Sequence, residues 1–203
     1  MQKNSGVIVD SVCEQINSCA ACSLCVNGAQ KFIGQGDIQA EVMILDLFPI
    51  GRDILRQRLY QDKAGKWFLQ LLADAGFRRG DLYMTTLVKC PVPKGEMPGK
   101  VSLKSCREHL LKQIEVINPE VVITLGESTL KALLPETKKK ISVLRGDAIS
   151  ALGRTIIPTY HPTWVLSQAK KLREDELYKD LWRSYELVFP QTKRRKRIKK
   201  IPV

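Results

Sequence analysis

The chain has 203 residues, with 33 Lys and Arg against 21 Asp and Glu, a formal net charge of +12. With 44% hydrophobic and 27% charged residues it is excluded from the disordered and fibrous classes and has the length for one globular domain with a substantial core. No apolar run approaches the roughly 20 residues needed to span a bilayer, so no membrane partner is expected.

The N-terminal stretch MQKNSGVIVDSVCEQ lacks both a basic lead and a long apolar segment, so no export signal is read there and the expected location is the reducing cytoplasm. In that compartment six cysteines, Cys13, Cys19, Cys22, Cys25, Cys90 and Cys106, point to metal or cluster ligation rather than disulfides. Cys19 and Cys22 form a Cys-x-x-Cys pair that can present two sulfurs to one centre. Cys90 and Cys106 can supply the other two. This spacing fits a structural zinc as well as an iron–sulfur cluster, and buried, unligated thiols are the plain alternative. Cys13 and Cys25 are left over, although Cys25 can take the place of Cys22.

Along the chain, strand-like and helix-like stretches alternate. Val42 to Leu45 reads as a buried strand ended by Asp46 and a breaker at Pro49–Gly51. Residues 64–75 read as a helix with Trp67, Phe68, Leu71 and Leu72 on one face, stopped by Gly76. Leu82 to Val88 is a second strand. After a loop rich in Pro and Gly, a helix is expected to begin at an N-cap Ser102 and to close at Pro119. Val121 to Leu125, a short helix to Leu134, a strand at Thr155–Pro158 and an amphipathic helix over 171–188 complete the series. This order predicts a three-layer α/β/α sandwich around a central four-stranded, mainly parallel sheet, in a single domain over 1–190. Ligands of such folds collect at the carboxyl ends of the strands, which here means Asp46, the 86–90 segment and His161.

The last eleven residues hold Lys193, Arg194, Arg195, Lys196, Arg197, Lys199 and Lys200, so 191–203 reads as a separate basic tail. A basic body with a basic tail predicts a polyanionic partner, DNA above all; a solvated tail and a nuclear-localisation signal are the alternatives.

Together with the Cys-x-x-Cys pair, the segments Leu-Val-Lys-Cys-Pro-x-Pro (87–93), Val-Ile-Thr-Leu-Gly (122–126), Leu-Arg-Gly (144–146) and Pro-Thr-Tyr-His-Pro-Thr-Trp-Val-Leu (158–166) form an ordered pattern over residues 13–168. In that order and spacing the chain resembles the iron–sulfur uracil-DNA glycosylases, family 4 of the uracil-DNA glycosylase superfamily. The resemblance implies a monofunctional DNA N-glycosylase, working as a monomer, with a [4Fe–4S] cluster on Cys19, Cys22, Cys90 and Cys106 that supports DNA-binding loops.

Its departures from the family are specific. The family's Gly-Glu-x-Pro-Gly stretch is Asp46-Leu47-Phe48-Pro49-Ile50, so the expected acid is a leucine and the preceding glycine has become Asp46. The base-stacking phenylalanine of the family falls in Leu59-Tyr60-Gln61-Asp62, and its base-reading asparagine is Thr86. Asp46, Asp62 and His161 are accordingly the expected catalytic residues, with Asp53 a weaker third acid. Phe48, Tyr60 and Thr86 are expected at the base, and Arg145, Gly146, Pro162 and Thr163 at the DNA backbone. Turn or capping roles for Asp46 and His161, a core role for Tyr60 and a surface role for Arg145 are the alternatives.

An asparagine amide can satisfy both O4 and N3 of uracil, whereas a threonine hydroxyl cannot. Thr86 therefore predicts a preference shifted toward a modified or bulky base such as a modified cytosine, in the setting of defence against phage DNA. A conventional uracil glycosylase and an inactive DNA-binding relative remain as alternatives. If the tail binds phosphates, deleting residues 191–203 flattens the log–log dependence of DNA affinity on salt by about 0.9 for each phosphate the tail neutralises. An unchanged slope in a fluorescence-anisotropy titration removes the tail from the interface.

Overall fold

The computed structural model of the protein describes residues 3–25, 30–168 and 170–190, with the basic tail outside that range. Four short runs of apolar and β-branched residues build the middle of one sheet: β2 (Val42–Asp46), β3 (Leu82–Thr86), β4 (Val121–Leu125) and β6 (Arg154–Thr159). They are parallel and stand in the order β3-β2-β4-β6. The sheet has six strands rather than the expected four. β1 (Gln35–Gly36) pairs antiparallel with β3, and β5 (Ile149–Ala151) pairs antiparallel with β6. These edge strands hold two and three residues, too few to show a period of two in the sequence.

Alternate side chains along each strand feed two separate cores, as the pleat requires. Val42, Ile44, Leu82, Met84, Ile123 and Ile157 pack with Phe68, Leu71 and Leu72 of α3 (Lys63–Asp74) and with Leu177 and Leu181 of α8 (Lys171–Val188). Met43, Leu45, Val122 and Ile156 pack with Cys106, Leu110, Ile114 and Ile117 of α4 (Lys100–Ile117), and with Leu130 and Leu133 of α5 (Glu127–Leu133). The expected three-layer α/β/α arrangement results, and α8 has the bounds expected for it. A helix not expected from the sequence, α1 (Lys3–Ser18), lies against α4 and leads into the first cysteine pair.

Three boundaries differ from expectation. Gly99 caps α4, and Ser102 is buried within its first turn. β3 ends at Thr86, after which the Leu87 and Val88 amides donate to the carbonyls of Asp46 (2.8 Å) and Leu47 (2.9 Å). The expected breaker after β2 turns directly into α2 (Gly51–Arg56), which stops where Gln57 takes a left-handed φ of 48°. The remaining pieces are α6 (Ile141–Leu144) and α7 (Pro162–Gln168). No described helix is long and apolar enough to cross a membrane.

Since β2 pairs with β3 on one side and β4 on the other, the chain reverses its winding direction at β2. The crevice this opens at the carboxyl end of β2 is where such sheets bind ligands. One wall is fixed by an unusual close contact. Tyr60 adopts φ 62°, and a Cβ at Gly65 would lie 2.3 Å from the Tyr60 Cα. Gly65→Ala is therefore expected to destabilise the fold by about 1–3 kcal/mol, read as a lower midpoint in denaturant unfolding.

Candidate active site

Asp46 ends β2 with its carboxylate buried at the switch point. Its Oδ1 accepts hydrogen bonds from the Leu47 amide (2.7 Å) and from Nε2 of His161 (3.2 Å). Oδ2 receives no backbone amide among the described residues, and the Tyr60 hydroxyl stands beside this carboxylate. β6 delivers His161 from the far side of β4, through Tyr160 and just ahead of Pro162, which opens α7. Gly126, at φ 87° after β4, makes room for it, since a Cβ there would lie 3.2 Å from the His161 Cβ.

The imidazole is bonded at both nitrogens. Its Nδ1 accepts from the Thr163 amide at 3.2 Å, so Nε2 carries the proton donated to Asp46. Burial disfavours the imidazolium, but the charge and hydrogen bond of Asp46, with Asp62 adding, hold the His161 pKa above its ordinary value. With its donor committed to Asp46, His161 orients the carboxylate in this arrangement.

Three further groups close around the pair. Tyr60 is buried edge-on to Phe68, with ring centroids 5.1 Å apart, and its hydroxyl stands beside the Asp46 carboxylate. Burial, then the charges of Asp46 and Asp53, push its pKa well up, which keeps the phenol neutral. Asp53 caps α2 by accepting from the Ile50 amide through Oδ2 (3.2 Å), while its buried Oδ1 is unpartnered. Burial, with repulsion from Asp46 and Asp62, raises its pKa to about 6. Asp62 caps α3 by accepting from the Gly65 amide at 2.6 Å. One oxygen of Asp62 is thus spent on a helix cap, although the residue stands close enough to influence both His161 and Asp53.

The other expected site residues are placed as follows. Thr86 is fully buried and donates its hydroxyl to the Val88 carbonyl (2.7 Å), so it has no proton to offer a base. Phe48 packs, half-buried, on the α4 side of the sheet with Leu24 and Val92. Arg145 is turned inward onto Asp180 and the Glu176 carbonyl, with its guanidinium over the Tyr160 ring at 5.6 Å; these partners occupy the side chain expected to bind phosphate. Gly146 follows because a Cβ there would come within 2.5 Å of Asp180 Oδ1. Pro162 is buried, whereas Thr163 is exposed beside Trp164 at the start of α7.

The cysteines occupy the other end of the β3–α4 connection. Cys90 and Cys106 are buried, Cys19 and Cys22 partly so. Burial first, then the proximity of Cys106, Cys25 and Cys22, pushes the Cys90 thiol up to about 12, with Lys31 opposing. Cys106 is raised by burial and by Cys22 and Cys19. The four expected ligands therefore lie in one electrostatic neighbourhood. Among the described residues, however, no three Cys, His, Asp or Glu side chains converge on one point as ligands of a single ion do. Cys25 donates its thiol to the Cys19 carbonyl at 2.7 Å.

Residues 33–185 match the family model described as the uracil DNA glycosylase superfamily. The chain belongs to that superfamily. It is 32% identical over 168 residues to the type-4 uracil-DNA glycosylase of Thermotoga maritima, which covers 82% of this chain and 88% of the relative. The type-4 uracil-DNA glycosylase of Pyrobaculum aerophilum is 29% identical over 175 residues, 83% of this chain and 88% of that one. A DNA polymerase of Bacillus phage SP01 is 33% identical over 149 residues, which is 73% of this chain and 16% of the polymerase. None of these names bears on defence against phage.

Two features of this superfamily member are hidden from sequence reasoning. Gly126 reads in the chain as the end of a strand, though the positive φ it tolerates is what seats His161. Lys89 reads only as part of a motif, yet it is 1% exposed, with burial pushing its pKa down to about 7 while Cys106 and Cys13 oppose.

The Asp46–His161 bond makes a direct prediction. His109 and His161 are the two histidines of the chain, so both can be followed by NMR. Asp46→Asn removes the charge that raises His161, and its titration midpoint should fall while that of His109 stays. The stability contributed by the wild-type pair is full below the ordinary histidine value of 6.5 and fades as pH rises through the raised native value. That pH slope should flatten in the variant.

Proposed function

We propose that this protein is a monofunctional DNA N-glycosylase that takes a nucleotide out of the stack and hydrolyses its glycosidic bond, leaving an abasic site. The observation that carries this reading is the Asp46 carboxylate, buried at the end of β2 and held by two donors on Oδ1. Departure of the base breaks the C1′–N bond with both electrons leaving on the base, so positive charge develops on the deoxyribose. A fixed carboxylate beside the sugar stabilises that charge without reorganising. The same group aligns a water whose oxygen bonds C1′ and whose proton passes to the carboxylate and then to solvent. His161 keeps the carboxylate in place through its Nε2 proton. The Tyr60 ring forms a wall of the slot against which a base can lie. Trp164 and Leu166, 39% and 38% exposed on α7, are placed to fill the gap left in the duplex.

Base choice follows from Thr86. With its proton on the Val88 carbonyl, this residue offers lone pairs alone, so it cannot donate to the O4 of uracil. It can accept from an amine such as the one a cytosine-like base carries. We infer a preference extending beyond uracil to bases of that kind.

Four cysteines with two buried lysines and no nearby carboxylate are a donor set suited to an iron–sulfur cluster. Cys19, Cys22, Cys90 and Cys106 would hold a [4Fe–4S] group, which supplies a rigid cross-link between the segment after α1 and the β3–α4 connection. Zinc on the same four thiols is the alternative occupant.

Abasic-site formation on duplexes carrying uracil, hypoxanthine or a modified cytosine tests the proposal. The wild type should cleave, with at least one modified-cytosine duplex processed no more slowly than uracil. Asp46→Asn should lose a factor of about 100 or more, and His161→Ala a factor of about 10 or more. Wild-type rates in the Asp46 variant overturn its role. Activity confined to uracil overturns the base preference, and binding with no product overturns the glycosylase reading.

A further inference from the structure

Two lysines are buried next to the cysteines, and neither meets a carboxylate among the described residues. Lys89 directs its ammonium at Thr85 Oγ1 (2.8 Å), the Thr86 carbonyl (2.6 Å), Gln113 Oε1 and, at 3.4 Å, the Ile33 carbonyl. All four acceptors are neutral. Lys31, 8% exposed, donates to the Asn17 carbonyl at 2.6 Å. A cation withdrawn from water costs several kcal/mol unless a counter-charge stands close, and a single buried lysine here already lacks one. An anion beside them would favour both charged forms.

The thiols are the acidic groups within reach. Lys89 precedes Cys90 in the chain, its own amide is directed at the Cys106 sulfur, and its ammonium feels Cys106 and Cys13. Lys31 feels Cys90. The two lysine-bearing segments are tied together by the bond from the Phe32 amide to the Lys89 carbonyl (2.8 Å). Gln113, reaching in from α4, bonds both the Lys89 ammonium and the Ile33 carbonyl (3.0 Å for the latter). These contacts fix the two ammonium groups on the cysteine side of the sheet edge.

Four thiolates around an oxidised [4Fe–4S] core leave a net dianion. We propose that Lys31 and Lys89 are its two counter-charges, positioning residues that retain the cluster and raise its reduction potential. This rests on the cluster assignment of the preceding section. The substitution of choice is Lys→Met, which keeps the stem and removes the charge.

The test uses the full chain purified without oxygen, in wild-type form and as Lys31→Met, Lys31→Arg and Lys89→Met. Iron and acid-labile sulfide per chain, the rate of iron release to a chelator, the reduction midpoint and thermal unfolding are measured on each. Lys31→Met should release iron about tenfold faster or more and show a more negative midpoint, with an unfolding temperature close to wild type. Lys31→Arg should restore both readouts. Lys89→Met should behave as Lys31→Met does; if losing four hydrogen bonds prevents folding, the Lys31 pair decides alone. Release and midpoint unchanged in Lys31→Met overturn the inference. Wild-type protein that carries zinc or no metal overturns the cluster assignment instead, a result seen before any variant is made.

Discussion

Asp46 and His161 leave the sheet at the carboxyl ends of strands that are not neighbours, and the 3.2 Å bond between them spans the end of β4. Much of the local architecture exists to make that bond possible. β4 must be followed by Gly126 so that the His161 side chain has room beside it, and the Thr163 amide must take Nδ1 so that Nε2 bears the proton. Asp46 spends Oδ1 on its own neighbour's amide and on His161, so its carboxylate is oriented before any substrate arrives.

The crowding of acids around that carboxylate sorts their roles. Burial and repulsion from its neighbours raise Asp53 to about 6 while one of its oxygens caps α2, and Asp62 caps α3. Asp46 alone takes a backbone amide and the His161 imidazole on one oxygen. Three aspartates that look interchangeable along the chain are therefore distinct in space, and the distinction comes from which backbone amides reach them.

The central sheet was legible because Val42–Leu45, Leu82–Val88, Val121–Leu125 and Thr155–Pro158 are short apolar and β-branched runs between breakers, which suit a buried strand. The edge strands and α2 were not, since two to six residues carry no period. The Asp46–His161 pairing could be anticipated at the level of strand ends, and the cysteine neighbourhood from spacing. What sequence could not reveal is where a polar group sends its hydrogen bonds. Arg145 looks the same in the chain whether it faces phosphate or Asp180, and Thr86 gives no sign that its proton goes to a carbonyl two residues on. Lys89 offers still less, because a lysine is the residue least expected in a dry interior.

Tyr60 carries a consequence for how a substrate is met. Its backbone is held in a left-handed turn, and the bare Cα of Gly65 is pressed against it, so its ring has little freedom to swing. Under the proposed function, a base wall this stiff has its ordering entropy lost once, as the chain folds, instead of at every encounter, and it would select bases by size through the backbone itself.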